Sequence, residues 1–259
     1  MSAVFENKNI YITGGNRGIG KAVSKMFASE KANISLIGRS FSKDLEAELL
    51  AAGALSVKFY ETDLSSRDEI ERLIEKLKDQ KVDVLFNNAG LLTGGLLEEQ
   101  PLDDIYDMFQ VNIVGLTHLT RGVLPQMLKE KSGLIINNSS VSALMHFPCA
   151  TTYAASKAAL YAFSNCLNAE LEGTGVSVLC LVTPGIKTRM FDEIEVKYGK
   201  NFETPTDSIT PEEYADQIKQ SILSGQKVLW PKGPTRLGLF IARFLPSLFR
   251  REINRRFRR

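Results

Sequence analysis

Short runs of β-branched and aliphatic residues recur along the chain, separated by stretches whose apolar positions return every three or four residues. The runs are NIYITGG (9–15), NISLIGR (33–39), SVKFYETD (56–63), VDVLFNNAG (82–90), GLIINNSS (133–140), VSVLCLVTPG (176–185) and KVLW (227–230). Between them, segment 67–80 sets Ile70, Leu73, Ile74 and Leu77 at i, i+3, i+4 and i+7, which predicts an amphipathic helix with its charges opposite. Further helices are expected over 21–29, 103–128 and 152–171. Parallel neighbours need crossover connections, so alternating strands and helices predict a doubly wound α/β fold: a parallel sheet with helices on both faces. No linker, low-complexity stretch or repeat interrupts the pattern, and residues 1–259 read as a single domain with a distinct C-terminal segment, 234–259.

In such sheets the ligand sits beyond the carboxyl ends of the strands. The polar and glycine-rich residues cluster at those ends: Thr13-Gly14-Gly15, Arg39-Ser40, Asp63, Asn87-Asn88-Ala89-Gly90, Ser139-Ser140 and Pro184-Gly185. The turn Thr13-Gly14-Gly15-Asn16-Arg17-Gly18-Ile19-Gly20 follows a strand and opens a helix. Glycines there let the backbone approach a pyrophosphate, whose charge the helix N-terminus stabilises. Gly15 to Lys21 also nearly spells the GxxxxGK phosphate loop, but Ala22 offers no hydroxyl to Mg²⁺, which argues against an NTPase. An NAD site would place a carboxylate on the ribose about 20 residues past the glycines, whereas Arg accommodates a 2′-phosphate. Here the second strand ends Gly38-Arg39-Ser40, and Arg17 adds another cation, so the expected cofactor is NADP(H).

Tyr153 and Lys157 stand at i and i+4, on one face of a helix. A cation beside a phenol favours the phenolate, so the pair predicts a tyrosine pKa drawn down toward neutrality and usable in acid–base catalysis. Alone, the pair also fits a helix-surface contact. Asn112 falls on the apolar stripe of Ile105, Met108, Phe109, Ile113 and Leu116, where a buried amide must be hydrogen-bonded. Ser140 follows a strand, as either an N-cap or a site hydroxyl.

Together, Thr13-Gly14-x-x-x-Gly18-Ile19-Gly20, Asn87 to Gly90, Asn112, Ser140 thirteen residues before Tyr153, Lys157, and Pro184-Gly185 follow the order and spacing of the short-chain dehydrogenase/reductase family. The resemblance covers residues 8 to about 230. It implies a Rossmann-type seven-stranded sheet of order 3-2-1-4-5-6-7, and hydride transfer between a nicotinamide and a carbonyl or alcohol carbon. By that likeness Tyr153 is the general acid/base, Lys157 lowers its pKa and holds the nicotinamide ribose, and Ser140 hydrogen-bonds the substrate oxygen. Asn112 would hold a water in a proton relay ending at Lys157. The likeness also places Asp63 and Leu64 at the adenine, Asn88, Ala89 and Gly90 along the cofactor with Pro184 and Gly185 among its contacts, and Ile186 and Thr188 at the carboxamide. The family usually carries Thr four residues after that Gly; Thr188 comes three after Gly185, a loop one residue shorter.

Segments 91–97 and 141–149 and the loop 186–210 are expected around the substrate. They supply Leu92, Leu96, Leu97, Val141, Leu144, Met145, Phe147, Met190, Phe191 and Phe202, a lining suited to a lipophilic ketone, aldehyde or alcohol. Lys187 and Arg189 keep 3-oxoacyl thioester reduction as an alternative, and a catalytically idle NADP-binding regulator is the alternative from another class.

Charge adds one feature. The chain is +2 overall, yet residues 234–259 hold eight Arg and one Glu. That segment also spaces Leu237, Phe240, Ile241, Phe244, Leu245, Leu248 and Phe249 as one amphipathic stripe, with Pro246 expected to kink it. It reads either as a helix at an anionic membrane surface or as one packed on its own domain or on another subunit. The stripe argues against nucleic acid as the partner of the arginines. Three cysteines without CxxC spacing and two unclustered histidines predict free thiols and no metal. Residues 1–15 leave no room for a signal peptide, and no run reaches the ~20 apolar residues of a spanning helix, so a cytoplasmic protein, with peripheral membrane contact as an option, is expected. Helices 103–128 and 152–171 are more apolar than one sheet face requires, which predicts a homodimer or homotetramer.

Overall fold

The computed structural model describes residues 4–203 and 207–259. Part of the expected substrate segment, 204–206, lies outside the described residues. Seven parallel strands, β1 (Asn9–Thr13), β2 (Asn33–Gly38), β3 (Ser56–Glu61), β4 (Val84–Asn87), β5 (Gly133–Asn138), β6 (Val176–Leu181) and β7 (Val228–Leu229), form one sheet of order β3-β2-β1-β4-β5-β6-β7. All seven expected strands are present, shorter than their apolar runs because the polar ends leave the ladder as loops.

Successive strand residues alternate between two cores. Ile10, Ile12, Ile34, Leu36 and Phe86 pack against α1 (Gly18–Ser29), α2 (Lys43–Ala51) and α8 (Pro211–Leu223). Tyr11, Ile37, Leu85, Ile135 and Val178 pack against α3 (Arg67–Leu77), α5 (Leu116–Glu130) and α6 (Thr151–Glu170). Burial on both faces explains why the strands read as continuous apolar runs. Capping sets the helix starts: Ser66 accepts from the Glu69 N–H, and Thr210 and Glu213 close a capping box behind Pro211. α3 ends at Leu77, not Gln80, and the Gln80 side-chain amide oxygen accepts from both the Tyr11 and Tyr60 hydroxyls.

Two expected helices are interrupted. Segment 103–128 is α4 (Leu102–Phe109), a π-helical turn (Gln110–Gly115) and then α5. The C-terminal segment is two helices, α9 (Gly233–Phe244) and α10 (Pro246–Arg256), broken at Leu245, which leaves helical geometry ahead of Pro246. Beyond α10, the Arg258 N–H donates to the Asn201 carbonyl and Phe257 bridges Phe202, which straps the chain end over the segment after α7 (Arg189–Tyr198).

Candidate active site

The ends of β1 and β4 are stapled together. The Thr13 hydroxyl accepts from the Asn88 and Ala89 N–H groups, both at 2.9 Å, and the Asn88 amide donates to the Thr13 and Gly14 carbonyls, both at 3.1 Å. Asn88 in turn accepts from Asn138, which accepts from Thr183, itself 2.8 Å from the Tyr214 hydroxyl. This polar chain ties together the ends of β1, β4, β5 and β6. Asn138 and Thr183 were not singled out from sequence, since each is a lone polar residue after a strand.

The glycine turn is shaped by contact. Gly14 and Gly18 hold φ of +65° and +51°, and a Cβ on Gly20 would lie 2.2 Å from the Gly14 carbonyl oxygen. Gly20 thus serves close helix–loop packing. A cleft of about 630 Å³ runs past this turn, bordered by Gly14, Asn16, Arg17, Gly18, Ile19, Arg39, Ser40, Asp63, Leu64, Asn88, Ala89 and Gly90. Asn16 donates to the Ser40 carbonyl at 3.1 Å, tying the turn to the end of β2 beside Arg39. Arg17 and Arg39 are exposed, and neither has a carboxylate within 4 Å among the described residues. The Asp63 carboxylate accepts from the Ser65 N–H and hydroxyl, so it braces its own loop at the cleft wall.

A second cavity, 730 Å³, continues from the first across Ile19, Asn88, Gly90, Leu91, Asn138, Thr188 and Met190. Its floor carries Ser140, Tyr153 and Lys157; its walls are largely apolar. Of the expected lining residues it holds Leu92, Val141, Met145, Phe147, Met190, Phe191 and Phe202, whereas Leu96, Leu97 and Leu144 stand outside it. Ile194 and Tyr198 also line it, from within the expected segment 186–210, which is not a continuous loop but contains α7; sequence reasoning missed Gly238 and Ile241 of α9, and Leu248, Phe249 and Ile253 of α10. The signal was available in the C-terminal stripe, but a stripe does not say what it covers.

Lys157 is buried, its ammonium donates to the Asn138 carbonyl at 2.8 Å and stands 5.8 Å from the centre of the Tyr153 ring. Burial pulls its pKa down to about 8. The Tyr153 phenol departs from expectation. Burial pushes it up to about 12, opposed by the hydrogen bond of Ser140, because desolvation penalises the phenolate more than its neighbours favour it. Asn112 is fully buried in the π turn: its amide oxygen accepts from the Leu91 N–H at 2.8 Å, and its nitrogen donates to the Leu91 carbonyl and to Ser156. Both amide protons are therefore engaged in positioning, while the amide oxygen, with one donor, keeps a second lone pair. Gly90 lies where Asn112 and Lys157 converge and has little room for a side chain: a Cβ there would stand 3.2 Å from the Asn112 oxygen and 3.5 Å from the Lys157 nitrogen.

Pro184, Gly185, Ile186 and Thr188 line the second cavity. Thr188 caps α7 and presses its methyl against Gly18, so the shortened loop still delivers it to the seam of the two cavities. Cys149, Cys166 and Cys180 are free.

The sequence model of the short chain dehydrogenase family matches residues 8–199, which contain the glycine turn, Asn88, Asn112, Ser140, Tyr153 and Lys157. The chain is a short-chain dehydrogenase/reductase. Among curated members of this family, a short chain dehydrogenase of Pseudocercospora fijiensis is 39% identical over 186 residues, 70% of this chain and 60% of that protein's length. A 3-oxoacyl-(acyl-carrier-protein) reductase of Thermotoga maritima is 34% identical over 196 residues, 74% of this chain and 79% of the relative. The solved short-chain dehydrogenase of Sphingobium yanoikuyae in complex with NADPH superposes with a TM-score of 0.80 at 23% identity, over 95% of this chain and 94% of that one. As a short-chain dehydrogenase/reductase, the protein is an oxidoreductase that uses a nicotinamide dinucleotide. The narrow, glycine-floored cleft with two free arginines fits such a cofactor.

Proposed function

We propose that this chain is an NADPH-dependent reductase of a carbonyl group on a lipophilic substrate. The observation that carries the reading is the joining of a cationic, glycine-floored cleft to an apolar cavity at Ser140, Tyr153 and Lys157. Arg17 and Arg39 would bind the 2′-phosphate, and Gly14, Asn16, Gly18, Ile19, Ser40, Asp63, Leu64, Asn88, Ala89, Gly90, Pro184, Gly185, Ile186 and Thr188 would frame the rest, while Thr13 and Gly20, which line neither cavity, would shape the turn from behind. The bound nicotinamide supplies the hydride. The Ser140 hydroxyl donates to the substrate oxygen, the Tyr153 phenol passes its proton to the forming alkoxide, and the Lys157 ammonium stabilises the phenolate left behind.

A phenol held near 12 is protonated at neutral pH and so carries the proton that carbonyl reduction consumes. Asn112 is a positioning residue that keeps Leu91 and Ser156 around Lys157. The test is loss of NADPH absorbance across long-chain ketones, aldehydes, quinones and 3-oxoacyl thioesters; tight NADPH binding without turnover on any of them would favour the idle regulator.

Two further outcomes follow from the groups named. Arg39→Ala should raise KM for NADPH about tenfold or more while moving KM for NADH less than about twofold, the loss of one charge-assisted contact. Equal effects on both would remove the NADP assignment. The value of kcat/KM for NADPH, which reports the free enzyme, should fall as pH rises through about 8, where Lys157 loses its proton.

A second reading, reduction of a 3-oxoacyl thioester, is supported by the Thermotoga relative and by Lys187 and Arg189 at the cleft edge, placed to meet an acidic carrier or coenzyme. Assembly as a homodimer or homotetramer through α4 to α6 is supported by exposed Leu102, Tyr106 and Val114, and light scattering measures it.

A further inference from the structure

We propose that the outer face of α9 and α10 docks on an anionic lipid bilayer, with the substrate cavity opening at that face. Five apolar side chains, Leu237, Phe240, Phe244, Leu245 and Leu248, are 49% to 62% exposed. Monomeric proteins rarely leave such contiguous apolar surface in water.

Helical spacing divides α9 into three sectors. Leu239 is buried against Met145 and Val182, while Gly238 and Ile241 line the cavity. Leu237, Phe240 and Phe244 point outward, with the two phenylalanine rings 4.8 Å apart. Arg236 and Arg243, seven residues apart, run along the edge of that outward row. In α10, Phe249 and Ile253 turn inward and Phe249 meets Phe147, whereas Arg250 and Arg251 are exposed. Among the described residues Arg236, Arg243, Arg250 and Arg251 have no carboxylate within 4 Å, although Arg255 and Arg256 pair with Glu252, and Arg259 with Glu98.

Leu248 belongs at once to the exposed patch and to the cavity wall, so the apolar patch runs unbroken into the substrate site. Apolar side chains rimmed by unpaired cations match a bilayer interface carrying anionic headgroups. A second copy fits less well, because twofold pairing through this face would set each arginine cluster against its like. Nucleic acid or an acidic carrier protein would use the arginines and leave Phe240 and Phe244 without a role. No described helix is long and apolar enough to cross a membrane, so the contact is one of lying on the surface. Docking stands independently of the reductase reading; delivery of a lipophilic carbonyl compound from the bilayer rests on it.

The test is co-sedimentation of the full chain with phosphatidylcholine vesicles, with and without phosphatidylglycerol. Wild type should sediment with the mixed vesicles and weakly or not at all with phosphatidylcholine alone. Phe240→Glu/Phe244→Glu should lower partitioning about tenfold or more, and Arg250→Ala/Arg251→Ala roughly fivefold per cation. Both variants alter exposed side chains outside the cavity wall, so Tm and turnover of a water-soluble carbonyl compound should match wild type. Wild type left in the supernatant with anionic vesicles overturns the proposal. So does a phenylalanine variant that sediments normally while the arginine variant fails, which would reassign the face to an acidic macromolecule. A wild-type dimer that Phe240→Glu/Phe244→Glu converts to monomer would make the face a self-interface and equally overturn it. Absence of any carbonyl turnover would count against the reductase alone, because sedimentation needs no substrate.

Discussion

Tyr153→Phe is expected to lower kcat for carbonyl reduction by about a thousandfold, within the span of a positioned general acid, while leaving the Kd for NADPH within about twofold. The substitution deletes one hydroxyl and keeps the ring, so packing among Leu92, Ala150 and Tyr198 is preserved. Ser140 still donates to the carbonyl oxygen, but a serine hydroxyl is too weak an acid to deliver a proton to the alkoxide on its own. Hydride transfer would then generate an uncompensated alkoxide in a largely apolar cavity, where unpaired charge is most costly. Single-turnover measurement with preformed enzyme–NADPH separates this loss from product release. A kcat within tenfold of wild type would place the acid elsewhere.

Lys157→Met should remove activity by a similar order and, unlike most substitutions in a core, make the protein more heat-resistant. Burial draws the ammonium from 10.5 down to about 8, so the folded state carries a penalty for the charge whenever it is protonated. That shift corresponds to roughly 3 kcal/mol at most, partly offset by the lost bond to the Asn138 carbonyl, so a Tm rise of a few degrees is expected at pH 7. The sign gives a second check. Between pH 8 and 10.5 the unfolded chain binds the proton more readily than the folded one, so wild-type stability gains with rising pH and the gap to the variant closes. A Tm that falls instead would mean that the ammonium stabilises the fold. The same charge accounts for the lost activity: without it nothing cationic faces the tyrosinate formed on proton transfer.

Tyr153 itself marks where residue spacing misleads. An i, i+4 pair fixes which face two side chains share but not their solvation, and here desolvation outweighs the lysine. The ammonium is turned to Asn138, and the phenol rises in place of falling. Asn112 is similar. Its stripe position foretold burial with partners, yet the π turn that aims its amide at Leu91 leaves no trace in a period of 3.6 residues. Gly115 sits in that turn with a Cβ position 2.2 Å from the Leu64 carbonyl, a crowding that only the folded chain reveals.

What the sequence by itself determined is what depends on local chemistry and chain order. Apolar runs with polar ends gave seven strands, crossover helices required them to be parallel, and the glycine turn, Arg39, Ser140, Tyr153 and Lys157 were placed at strand ends or helix starts by their neighbours in the chain. Tertiary structure decided everything that depends on which surfaces meet across long separations: the staple from Thr13 through Asn88 and Asn138 to Thr183, the pKa order of Tyr153 and Lys157, and the use of α9 and α10 as cavity wall. The C-terminal stripe divides along the same line. Periodicity could announce an amphipathic helix, but only packing against Met145, Phe147 and Val182 could separate the apolar residues that close the cavity from those left facing outward, because burial belongs to the assembled fold and not to the helix.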